Sequence, residues 1–130
     1  MINDLTLNTN LVKLRSDVWS AMTVICTAGC DAGDFVRPSA GAVIVGVAPE
    51  AIAAGESGTI IYKAEAIVLP CDLSENVVAG TLLSFLDGKL VNFGEGDVTC
   101  AIAREAATTA STEVEVDLFG FTMDDGEEGT

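Results

Sequence analysis

The sequence predicts an all-β fold, a small β-sandwich or β-barrel of about 7–9 short strands. Three observations carry that prediction. Two stretches of the chain repeat the same order of turns and short apolar runs. The composition is 49% apolar but only 5% aromatic, so a core must be built from Val, Ile, Leu and Ala, which suit thin layers of short strands. No segment carries a helix cap followed by a helical period, and no helix is needed anywhere.

The repeat is the clearest of the three. Its first copy runs Ala32-Gly33-Asp34-Phe35-Val36, a turn, the apolar run 43–48, a loop, then residues 58–64. Its second runs Ala79-Gly80-Thr81-Leu82-Leu83, a turn, residues 98–103, a loop, then residues 112–118. At 130 residues the chain has the length of one domain and can bury a core without disulfides or metals. Residues 1–17 are expected to be an extended N-terminal arm, 18–121 a single β domain, and 122–130 an acidic disordered tail.

The elements follow in order. In the arm, Leu5, Leu7 and Leu11 alternate only in patches with polar neighbours, and Lys13 and Arg15 are two of the six basic residues. Such a segment is either a first edge strand with solvated charges or an arm that grips a partner. Trp19 opens the first secure strand, which ends at Ile25 before the turn Thr27-Ala28-Gly29-Cys30-Asp31-Ala32-Gly33, where two glycines let the backbone reverse. A short strand over 34–37 and the run 42–48 form a hairpin across Pro38-Ser39-Ala40-Gly41. Residues 49–55 form a loop too short for a helix.

From Thr59 to Leu69 the residues alternate. Ile60, Tyr62, Ala64, Ala66 and Val68 face one way and Ile61, Lys63, Glu65, Ile67 and Leu69 the other, until Pro70 withholds a ladder donor. Asp87-Gly88 between apolar runs is the dipeptide of a type I′ hairpin. Residues 92–97 make an extra loop with no counterpart in the first copy. In the last strand Val114, Val116 and Leu118 point to the core, while Glu113, Glu115 and Asp117 are wet or face a cation. By that alternation Phe119 falls on the wet face, so either the strand bulges there or the ring meets another subunit.

Composition excludes several functions. The chain has no histidine, which removes Ser-His-Asp and Cys-His arrangements and the commonest transition-metal ligand. The acids lie in strand faces, turns and the tail, as solvated carboxylates do; Asp31, Asp34, Glu95 and Asp97 lack the ligand spacing of an EF-hand loop. Neither a catalytic residue, a cofactor nor a metal is therefore expected, and the chain is not expected to be an enzyme. A formal charge of −14 repels phosphates, so nucleic acid is not an expected partner. The longest apolar stretch is far short of a membrane span, and membrane is not an expected partner. Cys26, Cys30, Cys71 and Cys100 fit neither a CxxC pair nor a secreted framework; they are expected to be reduced small hydrophobes, although a bridge from Cys26 to Cys30 is geometrically possible.

The segments Thr27-Ala28-Gly29-Cys30-Asp31-Ala32-Gly33-Asp34-Phe35-Val36, Val45-Gly46-Val47-Ala48 and Ile52-Ala53-Ala54-Gly55-Glu56-Ser57-Gly58-Thr59, with a strand ending in Leu69-Pro70, resemble the capsid cement proteins of tailed phages. The resemblance covers about residues 18–120. It implies a small β domain, oligomeric and more often trimeric than dimeric, that decorates the outer capsid surface and clamps neighbouring major capsid subunits. The expected partners are then the major capsid protein and further copies of this chain, with Leu5, Leu7, Leu11, Lys13, Arg15, Trp19 and Phe119 as the contact residues. Met1-Ile2-Asn3-Asp4 lacks the basic start and apolar run of an export signal. Synthesis in a host cytoplasm and release with the virion are expected. Two other functions compete: a free-standing β-sandwich module for glycan or a host surface, for which Phe93 is the one well-placed loop aromatic, and a trimeric nucleotide hydrolase, for which six scattered basic residues are too few.

Overall fold

The computed structural model describes residues 13–14, 18–39, 42, 44–96 and 98–124. Among the described residues there are nine strands and no helix: β1 (Lys13–Leu14), β2 (Trp19–Cys26), β3 (Phe35–Val36), β4 (Gly46–Val47), β5 (Glu56–Pro70), β6 (Leu82–Leu86), β7 (Lys89–Asn92), β8 (Val98–Ala103) and β9 (Glu113–Asp124). They form one antiparallel sheet in the order β3-β4-β5-β9-β8-β6-β7, with β1 and β2 both paired along β5. The sheet curls until its ends approach. Phe35 of β3 meets Phe85 of β6 edge to face, ring centres 4.9 Å apart, and Cys71 bridges to Leu90 of β7. The result is a nearly closed barrel, as the all-β prediction requires.

The repeat is visible in the hydrogen bonds. Phe35 pairs with Val47 and Val36 with Gly46, just as Leu82 pairs with Ile102 and Leu83 with Ala101. Gly33 N donates to Ala48 O and Gly80 N to Ala103 O; Ala48 N donates to Asp34 O and Ala103 N to Thr81 O. In each half two loops are also locked by an isolated antiparallel bridge, Cys30 with Ile52 and Val77 with Ala107. β5 and β9, the long strands of the two halves, lie side by side and antiparallel at the centre of the sheet. The chain is therefore two copies of one three-strand meander joined about a local two-fold axis.

Several elements follow their sequence signals closely. β5 ends at Pro70, and the β6–β7 hairpin turns on Asp87 and Gly88, both left-handed at φ 50° and 82°, which is the type I′ requirement. Others depart. Strict alternation along β5 fails because the register shifts twice: Tyr62 is passed over in the pairing with β2, and Glu65–Ala66 in the pairing with β9. Ile61, Ala64, Ile67 and Leu69 consequently all reach the main core, although alternation put Ala64 on the opposite face. Among the described residues of the run 42–48, Gly46 and Val47 are strand, and Gly46 lies so close to the Ile61 carbonyl that a side chain there would strike it. β9 runs on through Asp124, past the point where the acidic segment begins, and residues 125–130 lie outside the described residues.

The main core is aliphatic, with Ile61, Ile67, Leu83, Leu90, Val98, Val114 and Val116 fully buried and Phe35 and Phe85 capping it. A second, smaller core of Cys26, Ala48, Ile52 and Ile60 lies beside the first loop pair, flanked by half-buried Met22, Val24 and Tyr62.

Candidate interaction surface

The centre of the barrel wall is pinned by one carboxylate. Ala66 sits in the β5 irregularity with φ 58°, a conformation alanine rarely adopts, and its N–H donates to Asp117 Oδ1 of β9 at 2.9 Å. The same oxygen accepts from the Arg104 guanidinium at 2.9 Å, and Arg104 Nε lies 3.4 Å from Glu115. The hydrogen bond to Asp117, reinforced by its charge, holds Arg104 above its ordinary range. Arg104 is thus the cation that the wet face of the last strand meets. Its partners are solvent-exposed, so the pair orients more than it stabilises.

Of the residues expected to make contact, only Trp19 and Phe119 have described side chains, and these lie on opposite faces of the sheet. Leu5, Leu7, Leu11 and Arg15 lie outside the described residues. Lys13 is placed by its backbone opposite Val68. Trp19 pairs with Ala64, which pairs in turn with Leu118; this row faces the barrel interior, and Trp19 is half-buried against the main core. The next row, Ser20, Lys63 and Phe119, faces outward. Phe119 is half-buried there. β9 also loses its pairing with β8 over residues 119–122, while it keeps its pairing with β5 at Phe119, so the strand is irregular on one side only and the ring stays on the outward face. Beside these rows is a pocket of about 370 Å³ lined by Val18, Trp19, Lys63, Glu65 and Asp117.

Of the most exposed apolar side chains, sequence reasoning singled out only Phe93, as a loop aromatic, and missed Val78 and Ile25. Val78 is 68% exposed, Ile25 62% and Phe93 57%. Ile25 adjoins the first loop pair. Val78 and Phe93 ride on the second, where Asn92 Oδ1 accepts from Ser74 N at 2.7 Å, Ser74 Oγ donates to Glu95 at 2.8 Å and Asn76 Oδ1 accepts from Thr109 N at 3.1 Å. No periodic signal marks a loop valine as outward-facing; Val77 is buried and Val78 exposed only because Val77 makes the bridge to Ala107. The turn acids have local duties: Asp34 accepts from the Asp31 N–H at 2.9 Å, as Glu95 does from Ser74. Among the described residues, no three His, Cys, Asp or Glu side chains come together as a metal site. Along the seam where the barrel nearly closes runs an open groove of about 710 Å³, walled by Phe35, Val36, Arg37, Phe85, Asp87 and Lys89.

Comparison with known families matches residues 18–118 to the family described as phage cement protein. The chain belongs to that family. The match starts at the residue before β2 and ends inside β9, so it takes in both meanders and both loop pairs of this cement protein. Family membership makes it a component of the phage capsid with a stabilising role. No curated protein matches the chain.

Proposed function

We propose that this cement protein works as a clamp on the outer surface of a phage head, holding neighbouring major capsid subunits together. The observation that carries the proposal is the separation of its two loop pairs by the length of β5. Residues 49–55 precede the first residue of β5, while residues 104–110 precede β9, whose Glu113 pairs with Pro70 at the far end of β5. A strand of 15 residues is at most about 50 Å long, so one rigid wall carries two grips on that scale. Each grip bears exposed apolar side chains, Ile25 at one and Val78 with Phe93 at the other.

The contacts are mechanical. Apolar loop residues bury surface against capsid subunits, and Leu5, Leu7, Leu11, Lys13 and Arg15 add contacts from the N-terminal segment, whose Lys13–Leu14 belong to the sheet as β1. Trp19 and Phe119 support the base of that arm and an outward face beside it. A stable contact needs roughly 800 Å² on each partner. A homotrimer would reach it several times over and gain further from effective concentration on a symmetric shell. A charge of −14 suits the outside of the shell, because the packaged genome repels it.

Sedimentation of heads lacking the protein, with and without added purified protein, tests the clamp. The protein should co-sediment at a fixed ratio to the capsid subunit and raise the temperature at which heads rupture. Protein that stays in the supernatant, or binds without changing rupture, refutes the proposal. Removing residues 1–12, which leaves β1 in place, should weaken binding severalfold while leaving the barrel folded.

A further inference from the structure

The first loop pair contains a pair of thiols that the clamp does not use. Cys26 ends β2, and its carbonyl accepts from Gly29 N at 3.3 Å and Gly55 N at 2.8 Å. Cys30 exchanges both backbone hydrogen bonds with Ile52, each 2.9 Å. Both cysteines are therefore tied to the same facing loop, and the chain reverses between them at Gly29, where φ is 75°. Both are free thiols, and half-buried Cys30 packs against the small core that Cys26 forms with Ala48, Ile52 and Ile60.

The other half of the molecule provides the control. Val77 makes the corresponding bridge, and the residue four positions before it is Leu73; both are buried. Two aliphatic side chains meet the packing need there, so packing alone does not call for two sulfurs. Cys30 is only half-buried, which gives a small oxidant access to its sulfur, while Cys26 is buried behind Ala28 and Gly29 at the wall of the open seam groove.

We infer that Cys26 and Cys30 form a reversible disulfide, a staple on the first loop pair that closes in an oxidising medium and opens in a reducing one. The oxidant is a small-molecule disulfide such as oxidised glutathione. The thiolate of half-buried Cys30 attacks one of its sulfurs, expelling one small thiolate and leaving a mixed disulfide. The Cys26 thiolate then attacks the Cys30 sulfur and expels the second. One protein S–S bond forms, one small-molecule S–S bond breaks, and the two protein protons pass through solvent to the two released thiols. Burial, with Cys26 adding to it, pushes Cys30 up to about 11, so the reaction is slow at neutral pH and quickens as the medium becomes alkaline.

The test uses the full chain incubated with oxidised glutathione at neutral and at alkaline pH, followed by thiol counting under denaturing conditions, intact mass and fragmentation mapping. Two of the four thiols should disappear with the loss of two hydrogens, and the link should map to Cys26 and Cys30. The melting temperature should rise by about 5 °C over the reduced form and fall back on reduction. Cys26→Leu with Cys30→Val, the pair borrowed from the other half, should fold, melt near the reduced wild type and show no response to oxidant. Four intact thiols in the oxidised native protein, a stable glutathione adduct, or a link involving Cys71 or Cys100 would each overturn the inference.

Discussion

The two halves of this barrel share one hydrogen-bond frame and fill it differently. In the second half the inner strands β6 and β8 have 5 and 6 residues and all their buried apolar side chains join the main core. In the first half β3 and β4 have 2 residues each, a separate small core has formed beside them, and β2 runs the length of 8 residues along the edge of β5. The repeat therefore preserves bridges and turns rather than side chains. Where a meander is short, an added strand from the N-terminal side makes up the lost pairing.

Matched substitutions test that contrast. The largest difference is expected at Leu83 and Val36, which hold corresponding places in β6 and β3. Leu83 is fully buried in the main core, and Leu83→Ala should cost about 4 kcal/mol; Val36 is half-buried, and Val36→Ala should cost about 1 kcal/mol in denaturant titrations. Equal losses would mean that the halves are energetically equivalent. Next come Gly46 and Ala101. A methyl group on Gly46 would strike the Ile61 carbonyl, so Gly46→Ala should cost about 3 kcal/mol, whereas Ala101→Gly only loosens a strand, by about 1 kcal/mol.

Asp117 has no equal in the first half. Asp117→Ala leaves the buried Ala66 N–H without its acceptor and should cost about 2 kcal/mol. Arg104→Ala removes only an exposed ion pair and should move the melting temperature far less. The reverse order would assign the bulge to the ion pair. The smallest effect is the pH dependence that Cys30 contributes in the first half, beside a shift in the same direction at buried Cys71. Cys30 titrates at 9.0 unfolded and about 11 folded, so the fold favours the protonated thiol. That contribution is complete below the lower value and is lost as pH rises to the higher one. Reduced wild type should lose stability across that window more than Cys30→Ala does, as urea midpoints measured along the pH series would show.

Much of this frame was legible in the sequence because its signals are local. Asp87-Gly88 dictates its turn, Pro70 stops its strand, and Val114, Val116 and Leu118 alternate into the core whatever surrounds them. The illegible parts depend on distant partners. Ala66 carries no mark of a left-handed backbone; the Asp117 carboxylate, on another strand, holds it there. The same irregularity moved Ala64 to the core. The closeness of β5 to Gly46 is encoded by no local pattern either. For the contact surface, alternation put Phe119 on the outward face, where it lies half-buried, and its loop position singled out Phe93, but no pattern marked Val78, whose exposure follows from how two loops knit together.

Electron cryomicroscopy of heads reconstituted with the purified protein tests the clamp most directly. The account predicts barrel density on the outer surface whose two loop pairs, at the ends of β5, touch two different capsid subunits. A barrel seated entirely within one subunit, or heads that remain bare, would contradict it.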